Sequence, residues 1–243
     1  MLILKLTLIC LFFISSFEGC ALSGHLPEEA FASPTLQIVV FRLNKLSGTL
    51  PRSLMTNPGL VSLKLEESSI TGTLPADIDK MVNLTRLELN MAIGGTLPPS
   101  LGNMVKLQAL SLVLTRLTGT IPSELGNLKS LATLDIWAEN LEGPIPASIG
   151  QLESLEVLSL DHINTGPISR TRRANWKPIE IPEAIGNLSR LTHLDLNGGF
   201  SGTVPASITR LRALKNLVML QTSVGGAFPA DFGNLPLEMF SLS

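Results

Sequence analysis

Aliphatic residues recur along this chain in two interleaved patterns that share one period. The first is Leu-x-x-Leu-x-Leu, seen at Leu60/Leu63/Leu65, Leu84/Leu87/Leu89, Leu107/Leu110/Leu112, Leu131/Leu134/Ile136, Leu155/Leu158/Leu160, Leu191/Leu194/Leu196 and Leu214/Leu217/Met219. Its Leu-x-Leu step has period two, which predicts a short strand with one face in a core. The second is Leu-x-Gly-x-Leu/Ile-Pro, as in Leu46-Ser-Gly-Thr-Leu-Pro51, Leu117-Thr-Gly-Thr-Ile-Pro122 and Phe200-Ser-Gly-Thr-Val-Pro205. Its prolines stand at 27, 51, 75, 98, 122, 146, 182, 205 and 229, spaced by 23 or 24 residues except for one gap of 36. This stretch predicts a second short strand that ends at the proline, where a missing N–H does least harm. Segments such as Ser123-Glu-Leu-Gly-Asn-Leu128 follow, with leucines three apart, and predict a helical or 3₁₀ turn after which Gly126 lets the chain reverse. One such unit cannot bury its own leucines. Stacked units can, with the first strands forming a parallel sheet along the inner, concave side of an α/β solenoid.

The combined pattern, with Asn44 at the asparagine position between the two strands, resembles the plant-specific class of leucine-rich repeat over residues 22–243. The resemblance implies a curved right-handed superhelix with short helical or 3₁₀ turns on its convex face. It also implies a recognition surface for peptides, small hormones or proteins, as in the extracellular parts of receptor kinases, receptor-like proteins and polygalacturonase-inhibiting proteins. Three departures stand out. The asparagine position holds Ser68, Thr115, Glu139 and Thr222 in other repeats, and the repeats at Ile93, His162 and Phe200 are one residue short there. No paired cysteines flank the repeats. The last repeat, through Phe240 and Leu242, is incomplete, as in a truncated product or a chain that relies on a partner.

Two segments break the period. Residues 1–21 carry Lys5, an apolar run from Leu6 to Phe17 and the small residues Gly19, Cys20 and Ala21, and read as a secretory signal cleaved after Ala21. The alternative is a degenerate buried repeat at the solenoid's end. The apolar run is too short to cross a bilayer, which takes about 20 residues. Excising Ser169–Ile181 restores the spacing, so those thirteen residues read as an insertion bearing Arg170, Arg172, Arg173, Trp176 and Lys177. They form either a partner-contacting loop, a plain surface loop, or an unspliced intron in the gene sequence.

Composition narrows the function. A net charge of −2 with 16% charged residues argues against a nucleic-acid surface. Aromatics are 5% and tyrosine is absent, which fits thin layers filled by leucine. No GxSxG, HExxH, Walker or kinase motif is present, and His25, His162 and His193 lack metal-ligand spacing. Neither catalysis nor a cofactor is expected.

Side chains between the buried leucines point off the inner sheet. One outward column runs Val40, Lys64, Glu88, Ser111, Asp135, Ser159, Asp195, Val218; the next runs Arg42, Glu66, Asn90, Val113, Trp137, Asp161, Asn197, Leu220. Glu66, Glu88, Asp135, Trp137, Asp161 and Asp195 therefore form a mostly acidic stripe with one indole, suited to a ligand that carries Lys, Arg or a free amine. They are candidate ligand-binding residues, or else ordinary solvated strand positions. Asn83-Leu-Thr85 and Asn187-Leu-Ser189 are glycosylation acceptors on the outer side. The expected function is extracellular recognition of a peptide or protein, secreted or at the cell surface, in receptor-like signalling or defence. A co-receptor kinase is an expected partner, and contact with a membrane would come only through a partner or a missing segment. The alternatives are a partial ectodomain of a receptor kinase, a secreted inhibitor of wall-degrading enzymes, and an intracellular scaffold.

Overall fold

A computed structural model describes residues 14–20, 22–26, 28–66, 69–163 and 179–243. The Leu-x-Leu steps form one long parallel sheet in sequence order: Ile14–Glu18, Ile38–Arg42, Ser62–Glu66, Arg86–Asn90, Ala109–Gly119, Thr133–Leu141, Val157–Ile163, His193–Gly198, Asn216–Met219 and Met239–Leu242. Leu87, Leu110, Leu134, Leu158, Leu194 and Leu217 stand opposite one another from strand to strand, and all six are buried. The period-two reading of the sequence is thus the rung spacing of a leucine-rich-repeat solenoid. Each coil adds its leucines to one continuous core, so removing a rung uncovers both neighbours.

The second strands pair in parallel as expected, from Ser23–His25 through Lys45–Thr49, Ser69–Thr73 and Ile93–Gly95 to the far half of Ala109–Gly119. Each proline is followed by one short turn of helix. It is 3₁₀ in most coils, as at Ser123–Asn127, and α only at Arg52–Met55.

The turn glycines do not act as the sequence implied. Gly126 reverses nothing, because it has no left-handed φ. A Cβ placed there would lie 2.4 Å from the carbonyl oxygen of Ser148 in the next coil. Gly102, Gly150 and Gly186 meet Glu124, Ala184 and Ser207 in the same way, at 2.2–2.4 Å. These glycines let adjacent turns touch backbone to backbone. Most left-handed glycines lie in or just after the second-strand stretch, among them Gly48, Gly95, Gly119 and Gly143, whereas Gly19 and Gly198 stand at the ends of inner-sheet strands. Leu43, Leu114, His162 and Gln221 also adopt positive φ, at the corner just before the asparagine position. Asn44 fills that position with two bonds, donating from Nδ2 to the Arg42 carbonyl and accepting the Leu22 N–H. Thr115 Oγ1 donates to the Trp137 carbonyl, whereas Thr222 Oγ1 is buried with no partner.

Ile14–Glu18, within the segment read as a leader, pairs with Ile38–Arg42 as a further parallel strand. Residues 1–13 and 21 lie outside the described residues, as does Ser68. The boundary of the insertion moves: Ile179–Glu180 is a strand paired with Phe200–Gly202, and Ile179 and Ile181 are buried, so these residues belong to the coil. Arg170, Arg172, Arg173, Trp176 and Lys177 lie outside the described residues. At the far end Phe228, Phe232 and Phe240 cluster with ring centroids 4.5–5.6 Å apart. Among the described residues, no helix is long and apolar enough to cross a membrane.

Candidate functional site

The strand register places both outward columns as the alternation requires. Lys64 faces Glu88, Glu88 faces Ser111, Asp135 lies between Ser111 and Ser159, and Asp195 lies between Ser159 and Val218. In the second column Glu66 faces Asn90 and Trp137 faces Asp161. A bulge at Val113 and Leu114 interrupts that column, and Leu114 turns fully outward. Val113, Val218 and Leu220, expected to be exposed, are only partly so.

The six candidate residues divide into two groups. Glu66 and Glu88 are held in a ladder of ion pairs: Arg42 to Glu18 and Glu66, Lys64 to Glu66 and Glu88, and Arg86 to Glu88. The Lys64 ammonium lies 2.6 Å from Glu88 and 3.1 Å from Glu66. Burial opposes ionisation of Glu88, but Lys64 and Arg86 overcome it and hold its pKa below the ordinary value. This end of the face is electrically closed and offers little net charge to a ligand.

Asp135, Asp161 and Asp195 form the second group, on three adjacent strands around Ser159. Among the described residues none of them pairs with Lys or Arg. Asp135 accepts a hydrogen bond from Ser111 at 3.3 Å, and Asp161 Oδ1 lies 2.6 Å from His162 Nδ1. Asp195 Oδ1 is buried with no partner among the described residues. Burial, reinforced by the charge of Asp161, pushes the Asp135 pKa up. Burial, then Asp161 and Asp135, pushes that of Asp195 to about 6. The Trp137 ring packs on His162 with centroids 5.1 Å apart and planes tilted by 38°. Carboxylates with no Lys or Arg partner among the described residues, beside a partly exposed indole, attract a cation both by charge and by the ring face.

A consequence for stability follows. Asp195 binds a proton more tightly folded than unfolded, so its ionisation weighs against the fold. That cost is absent below pH 4, grows as the pH rises towards 6, and is complete above it. Asp195→Asn is therefore expected to stabilise the protein at pH 7.5 by about 1–2 kcal/mol, after discounting for solvent screening, and to give no gain at pH 3.5. Urea unfolding at the two pH values measures this, and equal effects at both would refute it.

The sequence reading did not anticipate the stack of His162 on Trp137 or the loss of Glu66 and Glu88 to internal pairs. Arg42, in the same column as Glu66, and Lys64, in the same column as Glu88, carry the signal for the second. Asn83 and Asn187 are exposed on the turns away from the inner sheet. The Asn83 amide donates to the Pro58 carbonyl and its Oδ1 accepts from Lys106. Among the described residues, no three of His, Cys, Asp and Glu are placed to hold a metal ion.

No family model matches the chain, and no curated protein matches it. Solved structures do. The ectodomain of the Arabidopsis receptor kinase HAESA, in complex with the peptide hormone IDA and the co-receptor SERK1, aligns over 94% of this chain at 28% identity and a TM-score of 0.79. The chain spans 37% of that ectodomain, and a similar third of the other receptor ectodomains it resembles. A leucine-rich-repeat protein of Leptospira interrogans aligns over 91% of this chain at 28% identity with a TM-score of 0.71, the chain covering 52% of it. A plant ice-binding protein aligns over 92% of this chain at 26% identity with a TM-score of 0.72, the chain covering 69% of it.

Proposed function

We propose that this chain is an extracellular recognition module that binds a peptide or protein reversibly through its concave face, by attracting a basic group to Asp135, Asp161 and Asp195 and packing it against Trp137. The observation that carries this reading is the gathering of three carboxylates, none paired with Lys or Arg among the described residues, around one indole on a rigid parallel sheet. Support comes from the peptide-bound state of a structural neighbour, and the co-receptor in that complex supports a co-receptor kinase as a further partner here. The receptor ectodomains among the structural neighbours favour a receptor-like role over an inhibitor of wall-degrading enzymes or an intracellular scaffold. Signalling or defence at the cell surface is the role this fits.

Selection of a random peptide pool on the immobilised protein tests it. Retained sequences are expected to be rich in Lys and Arg and to be released by salt, because partly exposed charges are screened over about 8 Å at physiological ionic strength. Retained sequences without basic residues, or binding indifferent to salt, would overturn it. A panel of secreted polygalacturonases in the same assay separates the inhibitor reading, which predicts capture of the enzyme rather than of short peptides.

A second reading is favoured by a separate observation. The second strands carry an uncharged, exposed run of Ser, Thr and Gly from Ser47 to Thr120, and a neighbour of this fold is an ice-binding protein. Adhesion to ice would use this strip and leave the acidic patch idle.

A further inference from the structure

We infer that the strip of second strands between Ser47 and Thr120 is an ice-contacting face whose ordered contacts are Thr73, Thr96 and Thr120; this assignment of residues rests on the second reading above. The outward positions of Leu-x-Gly-x in these four coils hold only Ser, Thr and Gly, at residues 47/49, 71/73, 94/96 and 118/120. Thr49, Thr71, Thr73, Thr96, Thr118 and Thr120 are all exposed. Register fixes their lateral order: Thr49 lies opposite Thr71, Thr73 opposite Gly94 and Gly94 opposite Arg116, so the threonines are staggered along the strands from coil to coil. Neighbouring strands stand about 4.8 Å apart, and alternate outward residues along a strand about 7 Å apart. Spacings of this size are commensurate with the oxygen repeats on the faces of hexagonal ice.

Order matters as much as spacing. A surface of frozen water offers many weak, identical partners, so each protein hydroxyl must already hold its binding rotamer. The coils impose this from two sides. Thr71 Oγ1 donates to the Gly48 carbonyl and Thr118 Oγ1 to the Gly95 carbonyl, both at 3.1 Å. The methyl groups of Thr73, Thr96 and Thr120 sit where a Cβ at Gly95, Gly119 or Gly143 would be, within 2.7–3.1 Å of it. The glycine of each next coil is thus the slot that receives the threonine methyl of the one before. Stiff β-branched side chains held in such slots present a fixed array of methyl and hydroxyl groups.

The same strip is poor in everything else a surface uses to bind. It carries no aromatic anchor, as a protein hot spot would need, and no counter-charge for an ionic ligand. Lys45 flanks it, Arg116 is the one cation beside its outward positions among the described residues, opposite Gly94, and the column ends where Glu142 and Pro144 replace the hydroxyl pair.

The test is partition into a slowly growing ice front, with recrystallisation of ice at micromolar protein as a second readout. The full chain is compared with the combined variant Thr73→Glu, Thr96→Glu, Thr120→Glu and with Arg212→Glu, a charge change on a distant turn. A thermal melt verifies folding, and Thr96→Glu alone replaces the triple variant if that melts early. The chain is expected to enter ice and slow recrystallisation, the threonine variant to lose about tenfold in both, and Arg212→Glu to match the parent. Rejection of the unmodified chain from ice would overturn the ice reading itself. Retention of chain and threonine variant alike would overturn only the assignment to this face.

Discussion

Gly126→Ala is expected to lower the free energy of unfolding by about 3 kcal/mol or more, a loss as large as a core truncation causes although it adds a single methyl. The added Cβ would sit 2.4 Å from the Ser148 carbonyl oxygen and 2.6 Å from the Ser148 Cβ. Neither is a flexible tip that can swing aside. Relief requires the two turns to separate, and every later coil rides on the one before it. In a chain of this length the melting temperature should fall by roughly 6–12 °C. Gly225→Ala is the matched control, since its new methyl would meet nothing within 4 Å. It should fall within about 0.5 kcal/mol of the parent. A Gly126 variant as stable as the Gly225 variant would mean that the turns do not touch in the way the coil spacing requires.

Trp137→Ala should weaken capture of a basic peptide by about 2 kcal/mol, close to thirtyfold, while leaving the fold intact. The ring is partly exposed, so its removal opens no sealed cavity, but among the described residues it is the one indole beside the three carboxylates, facing Asp161 directly. Glu66→Gln should change capture by less than about 0.5 kcal/mol, because Glu66 is engaged with Arg42 and Lys64. Isothermal titration of both variants with one selected peptide measures the contrast. Equal losses would mean that the stripe binds as a whole and that the division into a closed and an open half is wrong.

Much of this architecture could be read from residue order because period alone decides it. Leu110, Leu134 and Leu158 stack because a strand's alternation leaves them no other side to face, and the same rule placed Asp135, Trp137 and Asp161 outward. What escaped the sequence depends on neighbours across coils. Glu66 looks like part of an acidic ligand site until Arg42, on the adjacent strand, and Lys64, two residues back on its own strand, prove to lie within reach. Gly126 was correctly singled out for the wrong reason, since a glycine chosen for close approach and one chosen for left-handed φ are the same letter. Leu43 and Leu114 at positive φ could not be foreseen, for bulky residues avoid that conformation unless the surrounding coils force it. Restoring the proline spacing placed the end of the insertion at Ile181, but burial of Ile179 and Ile181 returns those residues to the coil.

Carboxylate footprinting tests the concave-face account most directly. The protein is labelled with a water-soluble carbodiimide and an amine, with and without a selected basic peptide, and the modified residues are read by mass spectrometry. Asp135, Asp161 and Asp195 are expected to lose reactivity when the peptide is bound, while Glu66, Glu88 and the turn-side Glu183 keep theirs. Protection of Glu183 instead, or no protection at the three aspartates, would contradict it.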